Sequence, residues 1–247
     1  MEMLVGLFLL ILVNSIGFLV TQMMYTPETK IKIVRRPHHK KMAYFIGGSF
    51  EDFKFLESEI SDGIALVQYS NSGWNVEEMA DCVLGDIIMS GYQARIYTLS
   101  VGDRVGRLID TIRPTDKVEI VAVNPCSSPT LLWPEVRARL ETELCVAELG
   151  CLLLGFFSTA SLLRRGQEKI SLVLARDLLR GLLQEDDCGG RNGSTRGVLV
   201  STLDELTNPK RVTTFFRGVP IAFVEAKHAE SSSNPQAYQS AYRRIVR

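Results

Sequence analysis

Short apolar runs alternate with stretches of helical periodicity along most of the chain. The apolar runs are rich in aliphatic residues and little interrupted, which is typical of strands buried on both faces of a sheet. They occupy residues 31–34, 43–46, 64–68, 94–99, 118–123, 197–201 and 220–224. Helical periodicity fills intervals between them, at residues 50–60, 76–90 and 104–112. The alternation predicts an α/β fold with a mostly parallel central sheet flanked by helices.

The alternation is interrupted once, between residues 127 and 196, where helical patterns continue without an intervening strand. An interval of that length indicates an insertion with its own helices rather than a loop. Its stretch 132–163 is rich in apolar residues, and 169–183 repeats them at helical spacing. The most apolar part, 146–163, has three interpretations: a lid lining a binding pocket, a surface dipping into a bilayer, or a helix buried on the sheet.

The N-terminal segment is predicted to be a membrane anchor. Residues 3–20 carry no charge, and as a helix they would span about 27 Å, close to the thickness of a hydrocarbon core. Glu2 precedes the run, whereas a cleaved signal peptide has positive charge there. Basic residues follow instead: Lys30, Lys32, Arg35, Arg36, Lys40 and Lys41. This asymmetry predicts an uncleaved anchor over 1–24 and a cytoplasmic main domain. The alternative, a buried core helix, is favoured by residues inside the run: Asn14, Ser15 and Gly17.

Composition narrows the function classes. Hydrophobic residues make up 46% of the 247 residues, enough for a full core, so general disorder is excluded. Lys plus Arg equals Asp plus Glu at 28 each, a balance that gives no reason to expect a nucleic-acid partner. The 5 cysteines form no C-x-x-C pair, and no histidines stand at zinc-ligand spacing from them. We therefore expect free thiols in a reducing compartment, and neither a metal nor a cofactor.

A serine at a strand-to-helix junction is the first candidate for chemistry. The apolar run 94–99 leads directly into Ser100, Gly102 permits a sharp turn, and helical spacing begins at Arg104. A nucleophilic serine needs such a place, because the sheet holds it rigidly and the following helix N-terminus favours developing negative charge. The pattern predicts Ser100 as a nucleophile.

A serine hydroxyl also needs a base and a group that orients the base. The chain has three histidines, of which His38 and His39 lie in a basic stretch, while His228 follows the last predicted strand. The base is therefore predicted to be His228. Asp204 follows the strand 197–201 and is the candidate orienting carboxylate, with two substitutes in Glu205 and Glu225.

The order Ser100, Asp204, His228, each at the end of a predicted strand, resembles the α/β-hydrolase family, whose triad runs Ser, Asp or Glu, His. The resemblance covers about residues 30 to 245. It implies a core of 25–126 and 197–247 with a helical lid at 127–196.

The same resemblance implies an oxyanion hole built from backbone amides. One donor would be the amide of Val101, directly after the nucleophile, and the other that of Ser49 or Phe50 in the loop after the second strand. Two positions depart from the family pattern. Thr98 replaces the first glycine of Gly-x-Ser-x-Gly, and Ile46 replaces the histidine that usually precedes the loop's first glycine.

The sequence thus predicts a membrane-anchored serine hydrolase that cleaves an ester or thioester through an acyl-enzyme. A lipid-derived acyl substrate would fit the anchor and the apolar lid, and a peptidase of the same fold stays open. The alternative is a catalytically inactive hydrolase-like scaffold or binding protein at the membrane. Thr98 and the unusual oxyanion loop favour that alternative, and the complete set of Ser100, Asp204 and His228 argues against it.

Overall fold

The computed structural model describes residues 29–37, 39–60, 62–69, 75–112, 118–157, 176, 179–180, 183, 193–228 and 230–246. The predicted anchor at 1–24, His38 and much of the predicted lid lie outside these ranges. None of the helices inside them has the length and hydrophobicity of a membrane span.

A seven-stranded sheet forms at the seven apolar runs. Its strands are β1 (Thr29–Arg35), β2 (Lys41–Ile46), β3 (Gly63–Tyr69), β4 (Gln93–Leu99), β5 (Val118–Val123), β6 (Thr195–Ser201) and β7 (Ile221–Val224). Their spatial order is β1-β3-β2-β4-β5-β6-β7, and the neighbouring pairs from β3 to β7 are parallel. The predicted α/β architecture with a mostly parallel sheet is confirmed.

Five α-helices are described: α1 (Val76–Ser90), α2 (Asp103–Ile112), α3 (Pro134–Phe157), α4 (Pro209–Phe215) and α5 (Pro235–Ile245). Helix α1 has the predicted bounds because the Asn75 side chain caps its start and Gly91, at φ 65°, ends it. The helix predicted over 50–60 is instead a 3₁₀ helix, Glu51–Leu56. Its buried Phe53 and Leu56 are three residues apart, which matches the three-residue turn of that helix.

The sheet buries side chains on both faces. On one face, Phe45 stacks on Phe53 at 4.6 Å between ring centroids, and Leu199 belongs to the same cluster. On the other face, Val198 and Val200 pack with residues of α4. Side chains of consecutive β6 residues therefore point into different cores, as the period of two requires. Burial on both faces holds the carboxyl ends of the strands in place.

The chain divides into two compact units. The larger comprises residues 29–68, 75–137 and 184–247 and contains the sheet. The smaller comprises 1–28, 69–74 and 138–183, and within it the Arg180 guanidinium pairs with the Glu148 carboxylate at 2.8 Å. Residues 127–137, which the sequence assigns to the insertion, belong to the larger unit, where the backbone of Leu132 forms an antiparallel bridge with Thr207.

Candidate active site

Three polar side chains meet at the carboxyl edge of the sheet. Ser100 directly follows β4, Asp204 follows β6 and His228 follows β7, and since these strands are parallel their carboxyl ends share one edge. The Nε2 atom of His228 lies 2.8 Å from Ser100 Oγ, and its Nδ1 atom lies 2.7 Å from Asp204 Oδ2. The structure thus brings all three sequence-predicted side chains into one hydrogen-bonded chain.

Asp204 lies in an environment that keeps it ionised. Its Oδ1 atom accepts hydrogen bonds from the amides of Leu206 and Thr207, both at 2.8 Å, and Oδ2 accepts one from the Thr207 hydroxyl at 2.7 Å. Burial alone would raise the pKa of Asp204, but hydrogen bonding and charge from His228, together with the Thr207 bonds, bring that pKa below its ordinary value. An ionised Asp204 favours a proton on Nδ1 of His228, which leaves Nε2 to accept the Ser100 proton.

The loop that carries Asp204 is held by the segment after β5. The indole Nε1 of Trp133 donates to the Asp204 carbonyl at 2.9 Å, and the Trp133 amide donates to the Leu206 carbonyl at 3.2 Å. The two substitute carboxylates, Glu205 and Glu225, are exposed. Of the three carboxylates considered from the sequence, the structure places Asp204 against His228.

The backbone at Ser100 is strained at the turn between β4 and α2. Its φ is 53°, in the left-handed region that residues other than glycine rarely adopt. The Ser100 carbonyl accepts a hydrogen bond from the Cys126 amide at 3.0 Å, which ties the turn to the segment after β5. The sequence interpretation that assigned the sharp turn to Gly102 is wrong, because Gly102 is not among the residues with positive φ and Ser100 itself makes the turn.

Gly102 is required for a different reason, a backbone-to-backbone contact. A Cβ on Gly102 would lie 2.5 Å from the Ile46 carbonyl oxygen and 2.9 Å from the Cα of Gly47. A Cβ on Gly47 would lie 2.3 Å from the Leu99 carbonyl oxygen. The loop after β2 therefore packs directly against the turn that carries Ser100.

Comparison with known proteins identifies the fold. No protein-family model and no curated protein sequence matches the chain. Among solved structures, an E-2-(acetamidomethylene)succinate hydrolase superposes with a TM-score of 0.60 at 15% identity, covering 89% of this chain and 99% of that one. An esterase from Exiguobacterium antarcticum gives 0.60 at 10% identity, covering 87% and 94% of the two chains. A thermophilic esterase from Thermogutta terrifontis gives 0.57 at 18% identity, covering 88% and 92%.

The chain has the α/β-hydrolase fold. Identities of this size show the fold alone, so the chemistry has to be argued from the site itself. In the α/β-hydrolase fold the nucleophile lies on a strand-to-helix turn, and the acid and the base follow it in that order along the chain. Ser100 likewise lies on a strand-to-helix turn, and Asp204 and His228 follow it in that order along the chain.

Of the two loop amides considered as oxyanion donors in this α/β-hydrolase fold, that of Ser49 is already hydrogen-bonded within its own loop. The Ser49 amide donates to Asp52 Oδ2 at 2.7 Å, and the Ser49 hydroxyl donates to the same oxygen at 2.8 Å. An oxyanion at the Ser49 amide would have to displace this carboxylate. Val101, predicted as the donor directly after Ser100, lies in the 3₁₀ turn Ser100–Gly102 at the start of α2.

The departure of Thr98 from the α/β-hydrolase elbow pattern is accommodated by a glycine on the following helix. Thr98 is fully buried, and its hydroxyl donates to Asp103 Oδ1 at 3.3 Å. A Cβ on Gly106 of α2 would lie only 2.9 Å from Thr98 Cγ2 and 3.4 Å from Ile120 Cγ2. In the family pattern, a glycine at position 98 would let the helix approach the strand closely. Here Gly106 of α2 allows that approach instead.

This arrangement predicts that Gly106→Ala destabilises the protein through Thr98. Overpacking costs about 1–3 kcal/mol, against a gain of at most about 1 kcal/mol in helix propensity. The net decrease in the free energy of unfolding, measured by urea denaturation, should disappear in the Thr98→Ser background, which lacks the γ-methyl group and keeps the hydroxyl. The matched control is Gly85→Ala on α1, since a Cβ there meets no atom within 4 Å. Equal losses from Gly106→Ala in both backgrounds would contradict the explanation.

No cluster of three His, Cys, Asp or Glu side chains suited to a metal occurs among the described residues. Cys126, whose amide holds Ser100, has a buried free thiol, and burial raises its pKa to about 12. That thiol is therefore protonated and unreactive at neutral pH.

Proposed function

We propose that this protein is a serine hydrolase that cleaves an ester or a thioester, with Ser100 as nucleophile, His228 as general base and Asp204 as orienting carboxylate. The observation that carries the proposal is the His228 imidazole, 2.8 Å from Ser100 Oγ and 2.7 Å from Asp204 Oδ2. A base within hydrogen-bond reach of the hydroxyl, itself oriented by an ionised group, is the arrangement that activates a serine.

In the first half of the reaction, His228 Nε2 takes the Ser100 proton as Oγ attacks the carbonyl carbon. The resulting tetrahedral species carries a negative charge on the former carbonyl oxygen. As it collapses, the bond to the leaving oxygen or sulfur breaks, and His228 returns the proton to that atom. Water then repeats the sequence on the acyl-enzyme, releasing the acid and restoring the Ser100 hydroxyl.

The oxyanion would be held by the amides of Val101 and Phe50. Val101 is supported by its position directly after the nucleophile on the 3₁₀ turn. Phe50 is supported over Ser49 because the Ser49 amide already donates to Asp52. Removal of one such donor typically costs about 10²–10³-fold in kcat.

The substrate class is proposed from chemistry and from the neighbours' activities. Structures similar to this chain include two esterases and an E-2-(acetamidomethylene)succinate hydrolase. These names describe enzymes that hydrolyse small molecules. A lipid-derived acyl ester or thioester is the class that agrees with the apolar N-terminal stretch and the apolar C-terminal part of helix α3.

Membrane attachment through residues 1–24, with the catalytic domain in the cytoplasm, remains a proposal based on the uncharged run and the basic residues after it. Deletion of 1–24 is expected to move the protein from the membrane fraction to the supernatant after ultracentrifugation. The matched control replaces that segment with an unrelated membrane-spanning helix, which should restore sedimentation. A deleted form that still sediments with washed membranes would count against the anchor.

The second candidate function is a hydrolase-like scaffold without activity, favoured by Thr98 and by Ile46 in place of the loop histidine. Gly106 makes room for Thr98, which weakens that argument. A fluorophosphonate probe decides between the two, because it modifies only an activated serine. A phosphonylated Ser100, located by mass spectrometry, supports the enzyme, and a folded protein that is not labelled supports the scaffold.

A further inference from the structure

Three buried polar side chains meet beneath the loop that carries His228, and the mechanism above does not use them. Asn124 directly follows β5, Ser201 is the last residue of β6, and Tyr238 lies on α5. Their exposed fractions are 1%, 0% and 0%. Buried polar groups are costly unless they are hydrogen-bonded, so the partners of this cluster, Asn124–Ser201–Tyr238, show what it holds in place.

Asn124 connects strand β6, which precedes Asp204, to the loop that carries His228. Its Nδ2 atom donates to the backbone carbonyl of His228 at 2.7 Å and to Tyr238 Oη at 2.9 Å, while Oδ1 accepts from the Ser201 amide at 2.9 Å. Both amide hydrogens and the oxygen are therefore used. The backbone at Asn124 has φ 45°, a left-handed conformation that asparagine tolerates better than most residues.

Ser201 and Tyr238 complete the cluster from two other elements. Ser201 Oγ lies 2.7 Å from Tyr238 Oη and 3.2 Å from the Lys227 carbonyl oxygen, to which it donates. Burial raises the pKa of the Tyr238 phenol, so it keeps its proton at neutral pH. Two consecutive carbonyls, those of Lys227 and His228, thus accept hydrogen bonds from one buried cluster.

We propose that the Asn124–Ser201–Tyr238 cluster positions the base, because it fixes the Lys227 and His228 backbone and so keeps His228 Nε2 within 2.8 Å of Ser100 Oγ. This inference rests on the proposed function. The three members act through His228 and are positioning residues. A displacement of about 1 Å at a reacting group can cost about 10²-fold in rate, so a small shift of this loop would be measurable.

Helix α5 provides a matched control for this role. Tyr242, four residues after Tyr238 on the same helix, is also buried, and its Oη atom lies 2.8 Å from Tyr97 Oη. Tyr97 lies on β4, and that hydroxyl pair is distinct from the one beneath His228. Tyr238→Phe and Tyr242→Phe therefore remove the same kind of group, with the same volume retained, and only the first change affects the cluster.

The test measures the rate of Ser100 phosphonylation by a fluorophosphonate and the far-downfield proton resonance of the His228–Asp204 hydrogen bond, assigned by its loss in His228→Ala. Tyr238→Phe is expected to slow phosphonylation by about tenfold and Asn124→Ala by about 10²-fold. Both should shift or broaden the resonance. Tyr242→Phe should leave the rate and the resonance as in the wild type. Thermal unfolding of each variant identifies any that has lost its fold.

The two proposals fail in different ways. If the wild type is labelled and Tyr238→Phe matches Tyr242→Phe in rate and resonance, the positioning role is overturned and the hydrolase remains. If the wild type is folded but not labelled, the hydrolase is overturned, and the resonance still decides whether the cluster positions His228. A resonance unchanged in Tyr238→Phe overturns the inference in that case, and a shifted one supports it.

Discussion

His228→Ala is expected to lower both ester hydrolysis and fluorophosphonate labelling of Ser100 by about 10⁴-fold or more, in line with the loss of a triad base in other serine hydrolases. The reason is that Ser100 Oγ has its hydrogen-bond partner in His228 Nε2, at 2.8 Å. Without that base the hydroxyl keeps its proton and is a poor nucleophile. Initial rates with a short-chain p-nitrophenyl ester measure the effect directly.

Two controls separate loss of the base from general damage. His39 is exposed in the basic stretch before β2, and His39→Ala should hydrolyse the ester at the wild-type rate. Ser100→Ala should lose as much activity as His228→Ala, and the double variant should lose little more than either, because groups acting as a unit are strongly non-additive. A His228→Ala protein that keeps most of its labelling would rule out this histidine as the base.

Asp204→Asn is expected to lower kcat by about 10⁴-fold, the size found when an orienting carboxylate is replaced in other triads. An asparagine amide can donate to His228 Nδ1, which favours the tautomer that carries its proton on Nε2. That tautomer cannot accept the Ser100 proton. In that orientation the amide nitrogen replaces Oδ2, so the Thr207 hydroxyl loses its acceptor at 2.7 Å, and thermal unfolding should be measured beside kcat.

The matched controls for Asp204→Asn are Glu205→Gln and Glu225→Gln. Both residues are exposed carboxylates close in sequence to the site, and both were candidates from the sequence alone. Their replacement should change kcat less than about twofold, since surface substitutions away from such features have small effects. If Glu205→Gln lost as much activity as Asp204→Asn, the assignment of the orienting role to Asp204 would be contradicted.

Much of the fold could be read from local patterns. Strands buried on both faces of a parallel sheet are almost continuously apolar, so the inner strands β2 to β6 left a signal that needs no knowledge of their partners. The edge strands β1 and β7 are partly exposed and were recognised from their short aliphatic runs. Helix α1 was predicted to its ends because Asn75 and Gly91 act on their immediate neighbours. The 3₁₀ helix Glu51–Leu56 was missed in type, since a short helix that packs Phe53 against Phe45 has too few turns to display a period.

The location of Ser100, Asp204 and His228 followed from a topological rule rather than from any local contact. In a parallel sheet, residues that follow different strands arrive at one edge, so three strand ends imply one site. The distances between these three side chains could not be predicted from the sequence. The positive φ at Ser100 could not be predicted either, because φ at one residue depends on the packing of its neighbours. The sequence analysis assigned that turn to Gly102.

Local periodicity and chain order were therefore sufficient for the strands, for helix α1 and for the prediction that three polar residues meet at one edge of the sheet. Contacts between distant segments were decided only by folding: Gly102 against Gly47, Gly106 against Thr98, and Asn124 with Tyr238 beneath His228. A hydrophobic pattern reports which face of an element is buried, because burial depends on polarity. The pattern does not determine which atoms of two distant segments are in contact, since that depends on how the whole sheet and its helices pack.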